Sequence, residues 1–278
     1  MTSNVRCLFS IFGAAAVGAM QNASFETDLT DAQWEYLTPM LPKAKRHGRP
    51  PTDRRVVINA ILFVLKGGIP WRLLPQNFPP WKTVYHVFRT WSLDRTWAAL
   101  NDALRLCVRT DQGRDAQPSA AILDSQSVKS DGHGGLVGYD SGKKINGRKR
   151  HLLVDTLGLL LGVVVTPANC PERDGAQQVL ERVGDWFTRW RKLWVDGGYT
   201  GETFAQWVTE RWPRLDVEVV KRSAAKGFEV LPKRWVVERT FGWLMRHRRL
   251  VRDYERTETS AESWIHLAMI RIQLRRLA

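Results

Sequence analysis

Three acidic residues have settings that suggest chemistry. Asp124 follows the apolar run Ile122–Leu123, and Asp196 follows Trp194–Val195 and precedes Gly197–Gly198. Both runs read as buried strands, where a terminal carboxylate is costly unless something binds it. Two such acids converge if their strands are neighbours. Glu238 lies in a basic segment that reads as a helix over residues 233–250. Trp235 and Phe241, three residues to either side, flank it on one face. Gly242 leaves room for a close approach, so this helix is expected to pack on the sheet with Glu238 near its surface. Three hard carboxylates in one place suit Mg²⁺ or Mn²⁺. In a basic frame, such a group is suited to cutting DNA, with lysines and arginines holding phosphates and metal activating water. Singly, each acid has a duller account: a strand-end Asp is usually a turn former or a cap, and a helical Glu usually pairs with a neighbour such as Arg234. Other acids compete. Asp155 fits a hairpin turn, Asp174 a helix N-cap, and Asp216 and Glu218 a solvent-facing edge.

The elements that must position these acids are legible along the chain. Thr30 and Gln33 form a capping-box pattern that opens a helix through Leu37. Val56, Val57, Ala60, Ile61, Val64 and Leu65 fall at helical spacing before Gly67–Gly68. Residues 81–91 read as a helix with Val84, Phe88 and Trp91 inward, and a further helix runs over 94–108. Lys82, Thr83, Tyr85, His86 and Arg89 remain for the outer face of the helix at 81–91, a plausible DNA-reading arrangement. Polar residues 111–119 mark a boundary. Beyond it the pattern predicts strands at 120–128, 148–155 and 159–166, the last two joined by a turn at 156–158. A helix at 174–190, a strand at 192–196, a helix at 202–212 and a strand at 215–220 follow, then helices at 233–250 and 261–277. Strands first and then alternating α/β indicate a mixed sheet with helices on its faces.

The 278 residues suffice for one large domain or two modest ones. The organisation expected is an extension at 1–28, a helical DNA-binding domain at 29–110 and a catalytic domain at 119–278. Cys7 to Met20 is apolar but too short to span a bilayer; residues 1–28 read as disordered or as a misannotated start, with translation beginning at Met20. The net charge of +14 points to a polyanionic partner. Three scattered cysteines indicate neither a zinc site nor a disulfide framework. His151 and His247, in basic runs, read as solvated or DNA-facing. The segment 143–150 (KKINGRKR) has five basic residues in eight, and residues 221–256 carry eleven Lys or Arg against four acids. Both read as phosphate contacts beside a carboxylate cluster.

Long strings sharpen this reading: LTDAQWEYLTPMLP, GRPP, GGIPWRLLP and FPPWKTVYHVFRTW, then LDSQSVKS, GYDSGKKINGRKRHLLVDTLGLLLGVVVTPAN, LWVDGGYTG and KRWVVERTFGWL. They resemble the DDE transposases of bacterial insertion sequences, over about four-fifths of the chain from Leu29 to Leu250. The resemblance implies a ribonuclease H-like mixed sheet flanked by helices, preceded by a small all-α, helix-turn-helix-like domain. It implies that Asp124, Asp196 and Glu238 are the catalytic, metal-holding acids, 72 and 42 residues apart, with two Mg²⁺ ions for which Mn²⁺ substitutes. It implies cleavage of transposon ends and their joining to target DNA, in a homodimer or higher assembly, in the bacterial cytoplasm at the nucleoid and without a membrane partner. Arg234 matches the arginine of the family's signature around the last acid. Leu231 and Met245 depart from it, standing where tyrosine and lysine are the rule. The DNA contacts expected are Lys82, Thr83, Arg89, Lys143, Lys144, Arg148, Arg150, Arg234, Arg246 and Arg249. Two other readings stay open: a stand-alone metal-dependent nuclease, and a transposase-derived DNA-binding regulator without catalysis.

Overall fold

The chain's computed structural model describes residues 25–43, 52–132, 135–199, 202–220 and 233–278. Most of residues 1–28, and Leu231, lie outside them.

Among the described residues, four α-helices come first: α1 (Asp31–Leu37), α2 (Arg54–Gly67), α3 (Trp81–Leu93) and α4 (Thr96–Asp111). Their ends follow from local chemistry. The Thr30–Gln33 capping box opens α1, and the Asp53 carboxylate accepts from the amides of Arg55 and Val56 to open α2. Gly68, at φ 70°, closes α2 in the left-handed conformation. Along α3, Val84, Phe88 and Trp91 point inward as their spacing predicts.

The sheet is built from β1 (Ala120–Lys129), β2 (Gly138–Asp140), β3 (Ile145–Asp155), β4 (Leu160–Pro167), β5 (Lys192–Val195) and β6 (Asp216–Val219). Strand β3 is central and antiparallel to β1 on one side and to β2 and β4 on the other; β5 and β6 continue parallel to β1. Helices α5 (Glu172–Val183), α6 (Glu202–Arg211), α7 (Arg234–Met245), α8 (Arg248–Val251) and α9 (Glu258–Leu277) complete the chain. This is the mixed sheet flanked by helices, with a helical N-terminal region, of the ribonuclease H-like class.

Alternation along each strand divides the interior into two cores. Ala121, Leu123, Leu153, Leu161, Val164, Leu193 and Val195 face α5 and α6. Ile122, Leu152, Val154, Leu160, Val163, Val165 and Trp194 share the other core with α7, α9 and α1–α4. The N-terminal helices thus bury their apolar faces with α9 and one face of the sheet. Trp264 of α9 stacks on Phe88 at 4.5 Å and on Trp71 at 5.4 Å.

Several expectations are corrected. The helix expected over 233–250 breaks at Arg246–His247, giving α7 and α8. The helix expected at 174–190 begins at Glu172, ends at Val183 and passes into a short 3₁₀ turn. Pro171, not Asp174, occupies its N-cap. Nothing lies within 4 Å of where a Gly242 side chain would begin, so that glycine permits no close approach. Trp235 is exposed and stacks on Arg239 at 4.4 Å, while Phe241 is buried, so the two do not share a buried face with Glu238.

Candidate active site

The register brings the two aspartates together. In the parallel pair β1–β5, Ile122 sits beside Trp194. That offset is 194 − 122 = 72 residues, the same as 196 − 124, so Asp124, which lies within β1 rather than at its expected end, sits beside Asp196 just past the end of β5. By alternation, both lie on the face of Ile122 and Trp194, the face α7 covers. Lys233, at the start of α7, places its ammonium 4.5 Å from the Trp194 ring centre. The next residue, Arg234, is buried. Its Nη2 lies 3.9 Å from Asp124 Oδ2, 3.6 Å from Asp196 Oδ2 and 3.6 Å from Glu238 Oε1. Arg234 and Glu238 are one turn apart on α7, so a single guanidinium meets all three acids.

The electrostatics differ among the acids. Burial pushes the Asp124 carboxyl up to about 6; the Ser125 amide, donating to Oδ1 at 2.7 Å, opposes this, and the Asp196 charge adds to it. Asp196 is more open and accepts from the Gly198 amide at 2.8 Å. The Glu238 side chain is 56% exposed. Tyr199 is buried beneath the site. Burial, and then the Asp124, Glu172 and Asp196 charges, raise its phenol well above the ordinary range, keeping it neutral.

Glu172 is the residue that sequence reasoning missed. It opens α5 on the opposite face of the sheet. Its Oε1 accepts from Ser125 Oγ at 3.0 Å and lies 3.6 Å from Lys143 Nζ. A side chain at position 198 would meet its Oε2 at 2.2 Å, so Gly198 is what allows this carboxylate over the Asp196 turn. In the sequence it reads as an ordinary first-turn acid of a helix; the signal available was its place just after the PAN of the family-like string.

The other expected residues divide. Lys82, Arg89, Lys143, Lys144 and Arg246 are exposed, and Thr83 is half-buried on α3. Arg148, Arg150 and Arg249 are buried, and this corrects their expected place on a DNA-facing surface. Arg148 donates to the carbonyls of Leu136 and Arg256, and Arg150 to that of Leu250 at 2.7 Å. Burial lowers the Arg150 guanidinium to about 10. Arg249 is held by Glu255 at 2.8 Å and by the Ile69 carbonyl. His151 and His247 are buried too, and burial holds them at about 3 and about 4, so both are neutral inside the protein rather than solvated. The competing acids have structural places. Asp155 is wholly buried, caps the β3–β4 turn through the amides of Leu157 and Leu159, and pairs with Arg109 of α4. Asp216 and Glu218 hold Lys192 at the sheet edge.

The donor set fits a hard divalent ion. It consists of carboxylates alone, they already converge on one cation, and the most buried of them stands in need of positive charge. Among the described residues, no three His, Cys, Asp or Glu side chains stand close enough together to hold an ion as they are; Arg234 lies between them. Among the described residues, no helix is long and apolar enough to cross a membrane.

Comparison with known proteins agrees with this architecture. The family described as "Transposase DDE domain" matches residues 115–273, and that described as "Putative transposase of IS4/5 family" matches residues 29–101. The chain is 32% identical over 117 residues to the "Insertion element IS402 uncharacterized 16.2 kDa protein" of Burkholderia cepacia, covering 40% of this chain and 78% of that protein. It is 31% identical over 117 residues to the "Putative transposase for insertion sequence element IS402" of the same organism, covering 40% of this chain and 54% of that protein. With more than half its length matched, the chain belongs to the family of transposases with a DDE domain.

Proposed function

We propose that this transposase cuts transposon ends and joins them to target DNA at one centre formed by Asp124, Asp196 and Glu238. The observation that carries the reading is the meeting of all three carboxylates on the Arg234 guanidinium, from the middle of β1, the end of the adjacent β5 and one helix. The three acids would hold two Mg²⁺ ions, with Mn²⁺ able to substitute, and the metal would supply activation of water and stabilisation of the leaving oxygen. In the first step, water attacks phosphorus, the bond to the 3′ oxygen breaks, and that oxygen leaves with a proton as a 3′-hydroxyl. In the second, the freed hydroxyl attacks a target phosphodiester, and the displaced target oxygen takes up the proton. No protein nucleophile is required, which agrees with the neutral, buried Tyr199.

The chain's own residues bind and orient. Arg234 keeps three like charges together before substrate arrives. Lys143 and Lys144, exposed at the rim, offer charge to phosphates, and the outer face of α3 with Lys82, Thr83 and Arg89 reads the ends. Pairing of two ends implies at least a dimer in the active complex. Residues 29–110 and 119–278 serve as the end-binding and catalytic parts.

The test is incubation of the purified chain and Mg²⁺ with DNA carrying terminal inverted repeats. End cleavage and strand joining are expected from the natural chain. Neither is expected from Asp124→Asn, Asp196→Asn or Glu238→Gln, each of which still binds the ends within a few-fold. Full cleavage by Asp196→Asn refutes the assignment. Cleavage without joining favours the stand-alone nuclease, and binding without cleavage favours the regulator.

A further inference from the structure

A second concentration of positive charge lies away from the acids, where the ends of three helices meet. Lys66 ends α2, Arg246 follows α7, and Arg271, Arg275 and Arg276 occupy the last turns of α9. Together with Trp243, His247 and Ile272 they line a cavity of about 310 Å³. Among the described residues, no carboxylate lines it.

Cations at helix C-termini have an ordinary explanation, since they offset the partial negative charge there. That explanation covers Lys66, whose ammonium donates to the Arg246 carbonyl at 3.2 Å. It extends to Arg246 at the end of α7 and to Arg275 and Arg276 in the last turn of α9, and leaves over Arg271, which lies earlier in α9. The Arg276 guanidinium lies over the Trp243 ring, 4.7 Å from its centre, and Arg246 is exposed. Arg275 has one acidic neighbour, Glu26 at 3.9 Å, which is 84% exposed and so screened by water. Arg271 is 95% buried, touches only a backbone carbonyl through Nη2 at 3.4 Å, and its Nη1 has no partner. Guanidinium groups gathered around a cavity that, among the described residues, no carboxylate lines, some held against a ring or by burial, form a prearranged receptor for phosphate oxygens.

We propose that this cavity binds the phosphodiester backbone of the DNA on which the chain acts, as an anchoring site distinct from the acids. The source is DNA rather than a free anion because α7 links the two places. Arg246 is eight residues beyond Glu238, about 12 Å along the helix, a few base steps of duplex. The proposal rests on the reading that the chain handles DNA. It does not depend on the identity of the catalytic acids.

Binding of two duplexes, one with the terminal repeats and one of random sequence, is measured by fluorescence anisotropy in EDTA over a range of salt. No cleavage occurs under these conditions, so failure of the catalytic assignment leaves the measurement untouched. Arg246→Gln with Arg275→Gln is expected to weaken both duplexes alike and to lower the salt slope by about two. Both side chains are exposed, and an unchanged melting temperature verifies folding; Arg275→Gln alone should lower the slope by about one. Arg211→Gln with Arg214→Gln removes equal charge from α6 and the turn after it, and is expected to leave the slope unchanged. An unchanged slope for the first pair, or an equal fall for both pairs, overturns the proposal.

Discussion

Asp124→Asn should make the metal-free protein more stable at neutral pH, and the pH dependence of that gain is the informative part. The carboxyl is raised from 3.8 to about 6, first by burial. Between those values the folded protein holds a proton that the unfolded chain has lost. Stability from this group is therefore full below pH 3.8 and falls as pH rises through 6. The rise from 3.8 to about 6 corresponds to about 3 kcal/mol once both states are ionised. Asparagine keeps the shape, and its Oδ1 can still accept from the Ser125 amide, but it carries no charge to desolvate. In EDTA at pH 8 the variant should be more stable by up to about 3 kcal/mol, or roughly 6–12 °C in melting temperature for a chain of this size. At pH 5 the wild-type group is largely protonated in the folded state, and about half that advantage should remain. Thermal unfolding of both proteins across this range is the assay. A variant less stable than the natural chain at pH 8, or an advantage independent of pH, refutes the argument that burial of charge dominates at this position. It would mean that the Arg234 pairing already offsets the desolvation.

Two further predictions concern the frame around the site. Arg109→Met leaves Asp155 buried without its partner, and removing one member of a buried pair costs about 3–5 kcal/mol; chemical denaturation should show that loss, while any folded fraction keeps its cleavage activity. Thr83→Ala or Arg89→Ala, on the outer face of α3, should erode the preference for end DNA over random DNA by about 1–3 kcal/mol per base contact, read as the ratio of two binding constants; an unchanged ratio removes α3 from sequence reading.

Of the described strands the sequence carried all but β2, and with them the convergence of the aspartates, because both follow from short-range pattern. The apolar run before Asp196 marks the end of β5, the run before Asp124 lies within β1, which continues to Lys129, and alternation assigns faces. The break after Met245 was hidden because basic residues continue through Arg246 and Arg248–Arg249, so periodicity persists where the backbone turns. Glu172 was hidden because its approach to Ser125 depends on α5 lying over the sheet, a tertiary fact. Gly175 shows how close that approach is: a side chain there would meet the His151 ring at 2.1 Å. The same contact buries a histidine that the basic run around it had marked as solvent-facing.

Net charge proved an inflated measure of DNA-facing surface. Among the described residues, eight cations are buried: Arg105, Arg109, Arg148, Lys149, Arg150, Arg234, Arg249 and Arg271. Several donate to backbone carbonyls of distant segments: Arg105 to Leu160, Lys149 to Cys170, Arg150 to Leu250 and Arg249 to Ile69. These long side chains satisfy carbonyls that packing would otherwise leave without donors, and they join the sheet, α4 and the segment around α8. The segment 143–150 therefore holds two kinds of charge. Lys143 and Lys144 lie in the exposed turn before β3, while Arg148 and Arg150 lie within β3 and face the second core beside Leu152 and Val154. Arg150→Met should lower stability, because the Leu250 carbonyl loses its donor, at about 1–3 kcal/mol for an unsatisfied buried group. It should leave the salt slope of DNA binding by folded protein unchanged. Lys143→Ala with Lys144→Ala should leave the melting temperature nearly unchanged and lower that slope by up to about two. Salt titrations beside melting curves for the two variants separate the roles. A fall in slope from Arg150→Met at full stability would show that this arginine turns outward to meet phosphate when DNA binds.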